Sequence, residues 1–198
     1  MKSKRILKIC VDIAMTIALL VLMAYSLIGE TAHEWIGIGM FFLLVTHHIL
    51  NGRWSRNVLK GKYAVIRVSQ TVLVIAVLIC MIGSMISGVV LSRHVLSFLP
   101  IKTGQSWART MHLLCFYWGL VMMSLHIGFQ LNLMMGMIRK HTEKKAVKYI
   151  WLIRMVAAGI AVYGVIAFAD RQIGSYMFMK NAFVFFDFEK TIVFFFAD

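Results

Sequence analysis

The apolar residues of this chain do not alternate with polar ones. They come in long unbroken runs separated by short, mostly basic blocks. Five runs are long enough to cross a bilayer as helices, at residues 6–28, 32–50, 63–91, 107–138 and 149–169. A hydrocarbon core of about 30 Å takes roughly 20 helical residues. No run shows the two-residue alternation of a barrel strand, and only helices or closed barrels satisfy their backbone groups in lipid. The pattern predicts an all-α, polytopic transmembrane helical bundle forming one domain over residues 1–198. Residues 170–198 are predicted to be an outer amphipathic stretch or an incomplete sixth span. Their phenylalanine-rich runs at 182–188 and 191–196 are too short to cross.

Composition sharpens the class. Hydrophobic residues make up 61% of the chain, charged residues 15%, and the mean hydropathy is +0.81. A soluble domain of this length sits nearer about half apolar and about a quarter charged. Disordered, collagen-like and ordinary soluble architectures are excluded. The run that begins at Ile9 continues to Ile28, too long for the apolar region of a signal peptide, and no small-x-small cleavage site follows it. It reads as a retained first helix. Asp12, near its start, is expected to reach the interface or pair with a cation.

The net charge of +13 would suggest nucleic acid in a soluble protein. Here the basic residues mark orientation instead, and a nucleic-acid partner is not expected. One side holds Lys2, Lys4, Arg5 and Lys8, then Arg53, Arg56, Lys60, Lys62 and Arg67, then Arg139, Lys140, Lys144, Lys145, Lys148 and Arg154. The other side holds Arg93, Lys102, Arg109, Arg171, Lys180 and Lys190. Such an excess predicts a cytoplasmic N-terminus, with the second and fourth spans both running from outside to inside. The same blocks attract anionic lipid headgroups.

Seven histidines carry the candidate chemistry. His33 and His47 lie 14 residues apart on the second span, and His112 and His126 lie 14 apart on the fourth. That spacing is about 40° short of four turns and rises roughly 21 Å, so each pair shares one helix face with a member near each membrane surface. Because the spans are parallel, His33 comes level with His112, and His47 with His126. Two haems stacked across a bilayer require this arrangement, with one axial imidazole from each helix at each depth. Histidines within membrane spans are functional candidates by default. The ordinary alternative for any one of them is a hydrogen-bonded interfacial side chain. His48 competes with His47 but lies about 60° from His33 on the helical wheel, so His47 is favoured. His94 and His141 read as solvated.

Supporting residues are assigned around the four ligands. Gly119, midway between His112 and His126, leaves room either for a porphyrin edge or for close helix contact. Gly83 and Gly88 allow the same with less force. Arg93 and Arg109 at the outer level, and Arg67 and Arg53 at the inner level, are candidate partners of haem propionates or else snorkel to headgroups. Cys10, Cys80 and Cys115 form neither a Cys-x-x-Cys-His attachment site nor a zinc pattern. Two non-covalent b haems are therefore expected. The 15 methionines read as adaptable packing rather than a copper ladder.

The stretch His33-Glu34-Trp35, followed by His47-His48-Ile49-Leu50-Asn51 and Trp54, resembles the flavinylation-associated cytochromes, a family of small bacterial membrane proteins. Ile86-Ser87-Gly88 to Arg93, Met111-His112 and Ser124-Leu125-His126 are also similar to that family, over roughly residues 5–140. The resemblance implies a b-type di-haem cytochrome of the bacterial cytoplasmic membrane. It also implies an extracytosolic partner carrying covalent FMN, and a chain that continues past its last phenylalanine-rich segment. The expected function is electron transfer from the quinol pool to that flavin partner, with a possible quinone bound. No nucleophile, carboxylate dyad or phosphate loop is legible, so catalysis proper is expected on a partner. Two alternatives stay open: a cytochrome b anchor subunit of a larger quinone-linked oxidoreductase, and a haem-free small transporter or signalling protein.

Overall fold

The computed structural model describes residues 2–61, 64–101, 103–141 and 147–180. Every regular element among them is a helix: α1 (Lys2–Met23), α2 (Tyr25–Ile28), α3 (Glu30–Leu50), α4 (Gly52–Asn57), α5 (Val65–Leu91), α6 (Gln105–His141), α7 (Val147–Asp170) and α8 (Ile173–Met177). Three are long and apolar enough to cross a membrane, over Ile6–Met23, Val65–Leu91 and Gln105–Gln130. The helices at the second and fifth expected spans are formed, as α3 and α7, but neither reaches that standard among the described residues. In α3 the reason is its polar content: Glu30, His33, Glu34, His47 and His48 interrupt an otherwise apolar helix.

The first expected span, 6–28, is not continuous. It turns at Ala24, which is fully buried, and resumes as the single turn of α2. The chain then reverses through Gly29 at φ 78°, a left-handed backbone conformation that glycine adopts without the steric cost of a Cβ. α1 and α3 thus form an antiparallel hairpin, closed at its far end by a hydrogen bond from Lys8 Nζ to Asn51 Oδ1 (2.9 Å). The sole proline, Pro100, lies in the connection between α5 and α6, where a missing N–H costs no helical bond.

Large side chains along these helices stay exposed, among them Ile13, Phe42, Ile79 and Ile160. A water-soluble protein does not tolerate so continuous an apolar surface, whereas in hydrocarbon it carries no penalty. The fold therefore suits a lipid bilayer.

The described helices divide between two units. One contains α1 to α4, α5 from Gly83 and α6 up to His112. Its core includes Val11, Ala24, Met40, Leu44 and Ala108. The other contains α5 up to Ile82, α6 from Leu113, and α7 and α8. In that second unit α8 docks on α6: Tyr176 stacks on Tyr117 with ring centroids 5.1 Å apart, and Trp118 Nε1–H donates to the Met177 carbonyl at 3.1 Å. The stretch after Asp170, expected to be amphipathic or loop-like, holds the short docked helix α8 between turns, as far as Lys180. The phenylalanine-rich runs of the expected tail lie outside the described residues.

Candidate functional site

The first unit gathers most of the chemistry-bearing residues at two places along α3. The first is centred on His112. Its Nδ1 lies 3.1 Å from the Ser84 carbonyl and 3.0 Å from Ser87 Oγ, both on α5. A carbonyl oxygen can only accept, so the proton resides on Nδ1 and Nε2 keeps its lone pair. Ser87 is fully buried and donates its own hydroxyl proton to the Gly83 carbonyl at 2.7 Å, which leaves its oxygen to accept from His112. Gly88 completes the seat. A Cβ at this position would stand 3.7 Å from His112 Cε1, in van der Waals contact with the ring. The small residues Gly83, Ser84, Ser87 and Gly88 occupy one face of α5 at helical spacing, and that face receives the imidazole.

His33 faces this imidazole. The two rings have centroids 6.1 Å apart and planes inclined at 68°. Tyr25 of α2 packs edge-on against the other side of His33 at 5.2 Å. Nδ1 of His33 is buried with no hydrogen-bond partner. An unsatisfied buried nitrogen is costly and calls for an explanation. A metal–imidazole bond of about 2 Å on each side puts the centroids of two opposed axial rings roughly 6 Å apart, and the plane angle is free to vary about that axis. The spacing, the orphaned nitrogen of His33 and the free Nε2 of His112 fit a haem iron held between two imidazoles. Donation from His112 Nδ1 to a carbonyl is the outer-shell contact that commonly orients a metal-ligating histidine.

Glu34, one residue on, secures the geometry. Its carboxylate accepts from Ser92 Oγ at 2.7 Å and from the backbone N–H groups of Arg93 and Val95, each at 2.7 Å. The N–H of His94 adds a longer bond at 3.1 Å. These donors follow the C-terminus of α5, so one side chain of α3 clamps the end of the helix that seats His112. Glu30 adds looser pairs to Arg93 Nε (3.7 Å) and His94 Nε2 (3.6 Å). Glu30, Glu34 and His94 bring three ligand-type atoms within 4.8 Å of one another. With the Glu34 oxygens already taken by four donors, this cluster acts as a fastening for the loop.

The second place is at the other end of α3. Nδ1 of His47 is 2.8 Å from Oδ1 of Asp12, the acidic residue expected to reach the interface or pair with a cation. Asn51 Nδ2 approaches His47 Nε2 at 3.4 Å and donates to the His47 carbonyl at 3.0 Å. The adjacent His48 lies edge-on to His47 with ring centroids 5.7 Å apart, and its Nε2 is buried without a partner.

Among the other sequence candidates, Arg93 is turned toward Glu30, while Arg53 and Arg109 are exposed. Arg67 lies in the first turn of α5, where its carbonyl accepts from Thr71 Oγ1. His126 lies on α6 in the second unit. Gly119, in the same unit, faces α5: a Cβ there would lie 3.5 Å from the Cys80 Cβ, so close helix contact occupies the space beside it. His94 is exposed, as expected of a solvated residue, and the side chain of His141 lies outside the described residues. The roles of Ser84, Ser87 and Glu34 were not read from the sequence. Their only sequence signals were the small-residue face of α5 and an acidic residue one position after His33.

No family model, curated protein or solved structure matches this chain.

Proposed function

We propose that the chain is a b-type di-haem membrane cytochrome that carries electrons across the bacterial cytoplasmic membrane. The direction is from quinol to an extracytosolic FMN-bearing protein. The observation that carries this reading is the facing pair of His33 and His112, whose rings stand 6.1 Å apart. When bound, haem supplies a one-electron Fe(III)/Fe(II) couple whose potential is set by its ligands and surroundings. His33 and His112 would hold it. Ser84 and Ser87 fix the ring plane and tautomer of His112, Glu34 holds the end of α5, and Tyr25 covers His33.

The donor and acceptor follow from the resemblance of the His33, His47 and Trp54 region to flavinylation-associated cytochromes. Five crossings and a cytoplasmic N-terminus follow from the apolar runs and the basic blocks. In this arrangement the His33–His112 level faces outside, next to a soluble flavin partner.

The direct test is the haem content of detergent-purified protein from haem-replete cells. A pyridine haemochrome spectrum is expected to report b-type haem at about two per chain. A folded, colourless protein would sink the cytochrome reading and leave the haem-free transporter or signalling class. Orientation is tested separately, in a variant with Cys10, Cys80 and Cys115 replaced by serine. Ser97→Cys is expected to react with an impermeant thiol reagent in intact cells, and Lys60→Cys only after lysis. The reverse pattern would invert the topology and the proposed direction of electron flow.

A further inference from the structure

We infer that the break in the first helix is a positioning device for His33: it frees the Leu22 carbonyl to accept the Nδ1 proton of His33, which leaves Nε2 for the metal. The inference rests on the cytochrome reading and deepens it at one of its ligands.

An unbroken helix has no interior carbonyl to offer. Each one accepts from the N–H four residues on, so the Leu22 carbonyl would belong to Ser26. Among the described residues that bond is not made. The Ala24 N–H bonds back to the Val21 carbonyl at 3.0 Å, and the Leu27 and Ile28 N–H groups both bond to the Ala24 carbonyl. Helices kink at proline, at glycine, or where a side chain enters the ladder of backbone bonds. Residues 17–28 hold no proline and no glycine. The side chain that stands at the gap is His33.

The hairpin places it there. Lys8 meets Asn51, and Asp12 meets His47. The same antiparallel register, carried toward the turn, brings His33 level with Ser26, the residue that no longer takes the Leu22 carbonyl. Tyr25 lies edge-on against the His33 ring at 5.2 Å, and the Leu22 carbonyl stands beside that ring as an acceptor. The buried Nδ1 of His33 has no completed hydrogen bond, and this carbonyl is the acceptor that the break supplies for it.

The opposing ligand shows the finished form. His112 donates Nδ1–H to the Ser84 carbonyl at 3.1 Å and keeps its other nitrogen free. A metal-ligating histidine commonly donates its second N–H to a carbonyl or carboxylate, which fixes the tautomer and raises the basicity of the ligand. With Leu22 in this role the two sides of the site match. Each imidazole has a backbone carbonyl of a neighbouring helix behind it.

Backbone substitution tests the contact in the full-length protein. Met23 is replaced by its α-hydroxy acid, which converts the Leu22 carbonyl from an amide to an ester, a weaker acceptor. The same exchange at Leu19 weakens the Ala18 carbonyl inside the intact helix and serves as the control. The Met23 ester is expected to keep its haem content and to raise the midpoint potential of one haem, the one lost in His33→Ala, because a less basic imidazole stabilises Fe(III) less. The Leu19 ester is expected to match the wild type. Unchanged potentials in the Met23 ester, or an equal shift in both esters, overturn the inference. A second measurement needs no haem. In protein from haem-deficient cells at alkaline pH, nitrogen NMR of labelled histidine is expected to show His33 as the Nδ1–H tautomer, identified by the signal missing from His33→Gln. An Nε2–H tautomer overturns the inference, whatever the esters do. A wild type that takes up no haem but keeps His33 as the Nδ1–H tautomer overturns the cytochrome reading and leaves the Leu22 contact standing, so the two failures are distinct.

Discussion

Replacing His112 with alanine is expected to remove one haem and leave about one per chain, and His33→Ala is expected to remove the same one. The rings of these residues face each other at 6.1 Å, so neither can hold an iron in six-coordinate form without the other. The surviving haem should have identical optical and paramagnetic spectra in both variants, because the same site is lost in each. Spectra that differ between the two would mean that His33 and His112 serve separate centres. Loss of the bound group also removes its contribution to stability by mass action, so both variants should melt below the wild type. Ser87→Ala is expected to be milder. It removes one of two acceptors for His112 Nδ1 and leaves the Ser84 carbonyl in place, so both haems should remain with a shifted potential for the outer one. Gly88→Leu should approach the effect of His112→Ala, since a side chain there meets the His112 ring.

Glu34→Ala is expected to destabilise the protein by about 1–3 kcal/mol, allowing for partial exposure of the carboxylate to solvent. Four donors from Ser92 to Val95 lose a charged acceptor at once. Glu34→Gln should recover little, because an amide offers one acceptor oxygen and turns its NH2 toward the remaining donors. Chemical or thermal unfolding in detergent measures the stability change. Hydrogen exchange at the amides of Arg93, His94 and Val95 reports its location, with faster exchange expected there than along α1. Unchanged exchange at these amides in Glu34→Ala would remove the clamp from the account of the site. Because the clamp holds the end of α5 that seats His112, the outer haem should also bind more weakly than the inner one in this variant.

The helical class and the helices beneath the five runs were determined by the sequence, for a local reason. Hydrophobicity over about 20 consecutive residues dictates whether a segment suits hydrocarbon, and no distant contact is needed to read it. That His33 comes level with His112 was legible too, since helical rise and the shared sense of the two helices place residues along their axes. The break at Ala24 was not legible: residues 17–28 hold no proline, glycine or charge, and the reversal at Gly29 depends on α3 packing back along α1. Which nitrogen of His112 carries its proton was decided by Ser84 and Ser87, separated from it by 28 and 25 residues in the chain. Glu34 gained its role from donors 58 to 61 residues away. The wheel ranked His47 above His48 by angle, but that His47 Nδ1 meets Asp12, on a different helix, was not legible from that angle. Periodicity fixes the face on which a side chain begins. The hydrogen bonds that spend or spare its polar atoms come from segments remote in sequence, and only tertiary packing brings those segments together.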